Sequence, residues 1–292
     1  MLGMHFNDPL ESPPKTDWIR LWDCGVAWKD IHLGPNNYNW SKLDYLVNLY
    51  SDRNILYVFA ATPKWLAKDP EAPHFAKWLG PGSNSLPYSP EEWNKFVWMV
   101  SKRYAGKINA YEIWNEPQLA DFMYPYDTKN INALVSMTKR AYNTIKTNDN
   151  QAIVLSASVL PRVSSGGMKR AERYLKTLKK GGWPVDRVSC HIYPEIGMGA
   201  ASWYSYLQDV RNSVNRLNGP KLIWVTETNY NLLGKTLDPQ TSERYVRDTY
   251  RYAGHSPVFW YGWDKDDVLG GLIIKEGSAA WIEMQKHYDT HN

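Results

Sequence analysis

The sequence predicts an α/β protein built as one (β/α)8 TIM barrel, and three observations support that fold class. Eight short runs rich in Val, Ile, Trp and Tyr alternate with segments of helical period. The last four runs begin near residues 152, 187, 222 and 257, a constant spacing that is typical of βα units. Eight strands in about 260 residues also match the usual size of such a barrel. A doubly wound sheet is the alternative architecture.

Each strand is predicted from an apolar run that ends at turn-forming residues. The strands are expected at 2–7, 18–23, 54–60, 108–114, 152–157, 187–192, 222–227 and 257–262. Helices are expected at 41–52, from 89 onward, and at 129–147, 168–180, 202–217 and 239–253. The second of these opens with Ser89 and Pro90 before two glutamates, which is the pattern of an N-cap serine with proline in the first turn.

Two connections depart from the regular βα pattern. Only about ten residues, two of them prolines, separate the first two strands, so the first helix is expected to be short or absent. The segment 62–88 is long, rich in proline and without periodicity, yet it holds Trp65 and Trp78. Such a loop is usually functional, and the two tryptophans indicate that it is ordered. No linker divides the chain, so we expect one catalytic domain over residues 1–292.

The composition excludes several classes of protein. Apolar residues make up 43% and charged residues 22%, as in a globular protein, and no apolar run is long enough to span a membrane. The net charge of +4 is too small to indicate a nucleic-acid partner. The 15 Trp and 20 Tyr against 6 Phe favour a wet, aromatic-lined cavity, because Trp and Tyr suit surfaces that are apolar on one side and polar on the other.

The two cysteines, Cys24 and Cys190, show no metal-binding spacing. Free buried thiols are the favoured interpretation, and a disulfide is the alternative. No cofactor or metal ion is expected, and we expect a monomer. If a leader has been removed ahead of residue 1, a secreted or periplasmic location is favoured; otherwise the protein is expected inside the cell.

Two glutamates carry the predicted chemistry. Glu116 follows the fourth strand and Glu227 ends the seventh, and in a closed barrel these two strand ends face each other across the C-terminal mouth. Two carboxylates that face each other across an aromatic cavity are what glycoside hydrolysis requires. One must be held protonated to assist the leaving oxygen, and the other must stay ionised to attack the anomeric carbon.

Three neighbouring residues are expected to support these glutamates. Arg20, at the end of the second strand, could pair with Glu227 and keep it anionic. Tyr193, after the sixth strand, could donate a hydrogen bond to the same carboxylate. Asn115, beside Glu116, could reach a sugar hydroxyl, and Pro117 is expected to hold Glu116 in an extended conformation.

The motifs WNEP at 114–117 and WVTET at 224–228 resemble those of the clan of retaining TIM-barrel β-glycosidases. Enzymes of that clan carry the acid/base after strand four and the nucleophile after strand seven. The triplet HIY at 191–193 and Trp263 after strand eight match the same pattern. With IRLWDCGVAWKDI, TPKWL and YEIWNEP, the chain looks most like glycoside hydrolase family 39 and related endoglycosidases, over about residues 2–284. Members of that family often carry an added β-rich domain, for which this chain has no room.

The resemblance implies a retaining β-glycosidase, endo-acting on an exopolysaccharide or cell-wall glycan, with Glu227 as nucleophile and Glu116 as acid/base. Retention predicts carboxyl groups about 5–5.5 Å apart. The residues expected to contact sugar are His5, Trp28, Trp65, Trp78, His191, Trp203 and Trp263. An exo-acting β-glycosidase such as a β-xylosidase, and a catalytically silent carbohydrate-binding barrel, are the alternatives.

Overall fold

A computed structural model of the chain describes residues 1–6, 14–73, 77–162, 166–194, 198–230, 235–263, 271–272 and 274–291. Three parts of the expectations above lie outside the described residues: the end of the first predicted strand, most of the connection that follows it, and residues 74–76 of the long loop.

Eight parallel strands form the barrel, and a short antiparallel hairpin lies beside it. In chain order the strands are β1 (Leu2–His5), β2 (Trp18–Leu21), β3 (His32–Gly34), β4 (Asn37–Tyr38), β5 (Asn54–Phe59), β6 (Ala110–Ile113), β7 (Ile153–Leu155), β8 (Val188–Ile192), β9 (Ile223–Thr228) and β10 (Val258–Tyr261). The sheet order is β7-β6-β5-β2-β1-β10-β9-β8, and β3 pairs with β4 alone. Parallel bridges from Leu155 to Arg187 and from Val159 to Cys190 bring β7 against the β8 side. The predicted barrel is confirmed, and the doubly wound alternative is wrong because its sheet would stay open.

Helices cover the outside of the barrel. They are α1 (Trp28–Ile31), α2 (Ser41–Leu49), α3 (Pro90–Arg103), α4 (Thr128–Asn148), α5 (Gly167–Lys180), α6 (Ala200–Arg216), α7 (Pro239–Ala253) and α8 (Ala279–His291), with a 3-10 turn at Lys64–Leu66. Residues 14–17, the described part of the connection between β1 and β2, contain no helix. None of the helices described is long and apolar enough to cross a membrane.

An apolar layer fills the barrel near the N-terminal ends of its strands. Its buried members are Trp18, Leu56, Ala110, Leu155, Trp224 and Phe259. Gly3 of β1 faces the same layer, and a Cβ atom there would lie 2.5 Å from the ring of Phe259. A glycine is therefore required where this ring crosses the barrel. The layer closes the end of the barrel opposite to the predicted mouth.

Both cysteines are free and buried, so the disulfide alternative is wrong. Burial raises the pKa of the Cys24 thiol to about 12, and burial also raises the pKa of Cys190. Because the thiolate is the reactive form, neither side chain is expected to be reactive.

Candidate active site

A buried polar layer lies on top of the apolar one. Side chains alternate along a strand, so Arg20 and Glu112 lie two residues beyond Trp18 and Ala110 on the same inward faces of β2 and β6. Both are fully buried, and Nε of Arg20 donates to Glu112 at 3.0 Å. The second oxygen of Glu112 accepts hydrogen bonds from the hydroxyls of two other strands; the donors are Ser189 at 2.7 Å and Thr226 at 3.2 Å.

Glu227, at the end of β9, stands above Arg20. Nη1 of Arg20 donates to Oε2 of Glu227 at 2.8 Å, and the hydroxyl of Tyr193 donates to Oε1. Burial alone would raise the pKa of Glu227. The neighbouring His191, His5 and Arg20 outweigh burial and hold the pKa of this carboxyl well below its ordinary value. These contacts therefore favour the ionised form of Glu227.

Glu116 lies in the turn that follows β6, and its environment has the opposite effect. Burial raises the pKa of Glu116 above its ordinary value, His191 opposes the rise, and the charge of Glu227 adds to it. Nδ1 of His191 lies 2.6 Å from Oε1 of Glu116, and Nε2 lies 3.4 Å from Nη2 of Arg20. We place a ring proton on Nδ1, which then donates to Oε1. Oε2 of Glu116 is thereby left to carry the acid proton.

The backbone of the turn that holds Glu116 is strained. Trp114 has φ of 81° and Glu116 has φ of 34°, both in the left-handed region that non-glycine residues rarely adopt. The extended conformation expected from Pro117 is therefore wrong for Glu116. Two contacts hold the turn: Nε1 of Trp114 donates to the carbonyl of Phe122 at 2.8 Å, and the backbone N–H of Glu116 donates to Ser158 Oγ at 2.9 Å.

The turn also places Asn115 beneath Glu116. Oδ1 of Asn115 accepts from Nη2 of Arg20 at 2.8 Å, and the residue is almost fully buried. Arg20 thus contacts Glu112, Glu227 and Asn115 with its three nitrogens. The guanidinium links the strands that carry the two candidate catalytic glutamates.

The two histidines lie behind the glutamates, so the expectation that they contact sugar is wrong. His5 and His191 have no exposed surface. Nε2 of His5 lies 2.6 Å from Asp23 Oδ1, and its Nδ1 lies 3.5 Å from Oε2 of Glu227. Both ring nitrogens of each histidine therefore face protein partners, and the rings orient the carboxylates instead.

Two of the five tryptophans expected at the sugar are also misassigned. Trp28 lies in α1 and Trp203 in α6, both fully buried. Their ring nitrogens donate to His32 Nδ1 at 3.2 Å and to Thr228 Oγ1 at 2.9 Å, respectively. Buried rings with satisfied N–H groups have no face to offer a substrate.

The other three tryptophans are partly exposed, on connections that follow strand ends at the glutamate side. Trp78 is 50% exposed and meets Trp22 edge to face. Trp65 borders a cleft of about 300 Å³ beside Thr62 and Lys64. Trp263 follows β10 and contacts Trp281. These three rings remain candidates for stacking on sugar.

A metal ion is a poor fit to the residues between the strands. One atom each from Glu116, His191 and Glu227 lie within 4.8 Å of one another, close enough to share an ion. However, Arg20 already brings a buried positive charge 2.8 Å from Glu227. A second cation would be repelled by that charge, so the arrangement fits an ion-paired carboxylate site better.

Several residues of the site were not predicted from the sequence. Glu112, Ser189 and Thr226 lie within strands, whereas the predicted site residues come from strand ends and the loops that follow them. Asp23, which pairs with His5, follows the end of the second predicted strand and was given no role from the sequence. A usable signal for Glu112 was present, because it is a charged residue at an inward position of an otherwise apolar strand.

Comparison with known proteins supports the fold. No family model matches the chain, and no curated protein matches it. Among solved structures, a xylanase mutant from Cellvibrio japonicus superposes with a TM-score of 0.67 at 10% identity, covering 98% of this chain and 96% of that one. A family 39 glycoside hydrolase from Bacteroides cellulosilyticus gives 0.60 at 18% identity, covering 92% and 59%. A glucosidase from Croceicoccus marinus gives 0.65 at 13% identity, covering 85% of this chain and 54% of that one, about half its length. At these identities the likeness establishes the TIM-barrel fold.

Proposed function

We propose that this protein is a retaining β-glycosidase that works by double displacement. The observation that carries the proposal is the pair Glu116 and Glu227. Their nearest carboxylate oxygens lie within 4.8 Å, and their surroundings move the two pKa values in opposite directions. A short separation fits retention better than inversion, which needs room for a water molecule. Opposite pKa shifts are the mark of an acid and a nucleophile in one site.

In the first step, an oxygen of Glu227 attacks the anomeric carbon and the glycosidic C–O bond breaks. The leaving oxygen takes the proton of Glu116, so a glycosyl ester forms on Glu227 and the negative charge moves to Glu116. Since the charge of Glu227 raises the pKa of Glu116 in the free protein, forming the ester removes that contribution and lowers the pKa. Glu116 is then suited to take a proton from the water that hydrolyses the ester.

We further propose that the substrate is a polysaccharide and that cleavage is endo-acting. Support comes from Trp65, Trp78 and Trp263, whose partly exposed rings lie on the connections that follow β5 and β10 and could contact several sugar units. The structural neighbours include proteins described as xylanases, which makes a β-linked pentose or hexose polymer the first substrate to try.

Covalent labelling tests the mechanism. The protein is incubated with activated 2-deoxy-2-fluoro glycosides of xylose, xylobiose, glucose and cellobiose, and the label is located by peptide mass spectrometry. The expected result is one label, on Glu227, which Glu227→Gln abolishes. Glu172→Gln is the matched control, because Glu172 pairs with Arg216 on the outer surface. A label on another residue would contradict the assignment.

Product analysis tests the substrate and the mode of cleavage. The wild-type protein is incubated with a panel of polysaccharides, and product lengths are followed over time. Internal cleavage releases a range of oligosaccharides early, whereas an exo-acting enzyme releases one product throughout. A protein that binds glycans but hydrolyses nothing across the panel would be a carbohydrate-binding barrel instead.

A further inference from the structure

Arg20 is a buried cation with two buried anionic partners. Its Nε contacts Glu112 at 3.0 Å and its Nη1 contacts Glu227 at 2.8 Å. One positive charge thus faces two carboxylates, and only the carboxylate of Glu227 takes part in the proposed reaction. Glu112 itself is fully buried beneath the site, where it has no route to a substrate.

The proposed chemistry changes the charge of one partner. When Glu227 forms the glycosyl ester, its carboxylate becomes neutral and the negative charge passes to Glu116. The direct ion pair between Arg20 and Glu227 is lost at that point. A guanidinium left buried without a partner is strongly unfavourable, because it has lost both water and its counter-ion.

We infer that Glu112 is a positioning residue that keeps Arg20 neutralised and correctly aimed while Glu227 is esterified. This inference rests on the proposed function. Ser189 and Thr226 hold Oε1 of Glu112, so its Oε2 stays on Arg20 whether or not Glu227 is charged. Glu112 acts through Arg20 and takes no part in bond making.

The rates of the two steps should respond differently to the loss of this charge. In Glu112→Gln, Arg20 still forms its ion pair with the carboxylate of Glu227 in the free protein. Once the ester forms, Arg20 has lost both of its anionic partners. Formation of the ester is therefore expected to slow by about 10- to 100-fold, as part of the penalty for an unpaired charge appears in the transition state. Hydrolysis of the ester restores the Arg20–Glu227 pair and relieves this penalty, so it is expected to run at the wild-type rate or up to about threefold faster.

The pH dependence should change as well. The groups that face Glu116 are His191 from β8, Glu227 from β9, Tyr193, and Arg20 from β2. Glu112 offsets the field of Arg20, and its Oε1 lies 3.9 Å from Nε2 of His191. Removing the negative charge of Glu112 should lower the pKa of Glu116, so the alkaline limb of the kcat/KM profile is expected to move to lower pH.

The experiment compares wild type, Glu112→Gln, Glu112→Asp and the surface control Glu172→Gln. Glycosylation is measured as kcat/KM on aryl glycosides and as the rate of labelling by the 2-fluoro glycoside. Ester hydrolysis is measured as kcat on a dinitrophenyl glycoside, and both are followed against pH. Circular dichroism and thermal melts establish that each variant is folded.

The expected result is selective slowing of ester formation in Glu112→Gln with the alkaline limb at lower pH. Glu112→Asp keeps the charge, so its limb should stay with the wild type even where its shorter side chain lowers the rate. Equal slowing of both steps with no movement of the limb, or rates equal to wild type, would overturn the inference. If the active wild type is labelled at a residue other than Glu227, the proposed function fails first, and the inference fails with it.

Discussion

At the scale of single residues, the hydroxyl of Tyr193 donates to Oε1 of Glu227, whereas Arg20 donates to Oε2. Burial and the adjacent charge of Glu227 raise the pKa of Tyr193 well above its ordinary value. The phenol therefore keeps its proton and acts only as a donor. It holds the carboxylate in one orientation and stabilises its ionised form.

Tyr193→Phe is expected to lower kcat/KM on aryl glycosides by about 10- to 100-fold, because a hydrogen bond to a buried charged group is lost. The effect should appear in the rate of covalent labelling of Glu227. Tyr142→Phe makes the same chemical change at an outer residue that contacts Asp186, and it should leave both rates unchanged. A Tyr193→Phe protein labelled at the wild-type rate would show that the hydroxyl does not orient Glu227.

Residue type and strand position predicted the placement of some site residues but not of others. Glu116 and Glu227 could be placed at the mouth because a carboxylate is costly to bury, so an acid at the end of an apolar strand is expected where that strand opens onto a polar cavity. The depth along the barrel axis at which a side chain lies could not be predicted in the same way. His5 and His191 are at strand ends like the glutamates, yet they lie below them, because only the closed barrel decides which polar groups reach water.

At the scale of elements, helix α3 shows how local sequence sets a boundary. Oγ of Ser89 accepts from the backbone N–H of Glu92 at 3.1 Å, and Pro90 occupies the first turn. This is the arrangement expected from the sequence. The helix then buries Trp93, Phe96 and Val97 against the barrel.

Ser89→Ala is expected to cost about 1 kcal/mol of stability, because a helix N–H loses its acceptor. The melting temperature should fall by roughly 2–4 °C. Ser205→Ala, at an exposed position within α6, is the matched control and should not lower it. Activity should be the same in both variants, since neither serine is among the residues that surround the glutamates. An unchanged melting temperature for Ser89→Ala would mean that the cap is replaced by water at no cost.

Most of the periodic elements were predicted, and the shortest elements were not. The eight barrel strands were each predicted to within a few residues, because turn-forming residues and the regular spacing mark their limits. Helix α1 and the β3–β4 hairpin are too short to show a period, and they were missed; the longer helix α8 was not predicted either. Trp28 was expected to contact sugar for that reason, and its burial in α1 follows from contacts with Trp93 and Phe96 that are distant in the chain.

At the scale of the whole molecule, the apolar core layer and the candidate catalytic residues lie towards opposite ends of the barrel axis. The apolar layer around Trp18 and Phe259 fills one end, and the carboxylates lie towards the other. A cleft of about 650 Å³ beside Met1 and α7 and α8 lies at the N-terminal end, away from the glutamates. Its position makes it a poor candidate for the substrate site.

Trp78→Ala tests whether the substrate extends beyond the glutamates. The long loop places this ring on the glutamate side, so KM for a polysaccharide is expected to rise about 5- to 10-fold from the lost stacking surface. The kcat/KM on a small aryl glycoside should not change, because a short substrate does not reach the loop.

Trp98→Ala is the matched control for this change. Trp98 is also 50% exposed, but it lies on the outer helix α3, and its removal should leave both substrates unaffected. Equal losses on polymer and aryl glycoside in Trp78→Ala would place Trp78 at the reacting sugar, and would favour an exo-acting enzyme with a closed pocket.

The ion pairs of Arg20 also have an order in time. Glu112 lies 92 residues after Arg20 in the chain, whereas Glu227 lies 207 residues after it. As the chain leaves the ribosome from its N-terminus, Glu112 is made long before Glu227. A chain that ends before β9 contains Arg20, Glu112 and Glu116 but lacks Glu227, the proposed nucleophile. The proposed hydrolysis therefore requires that β9 has been made.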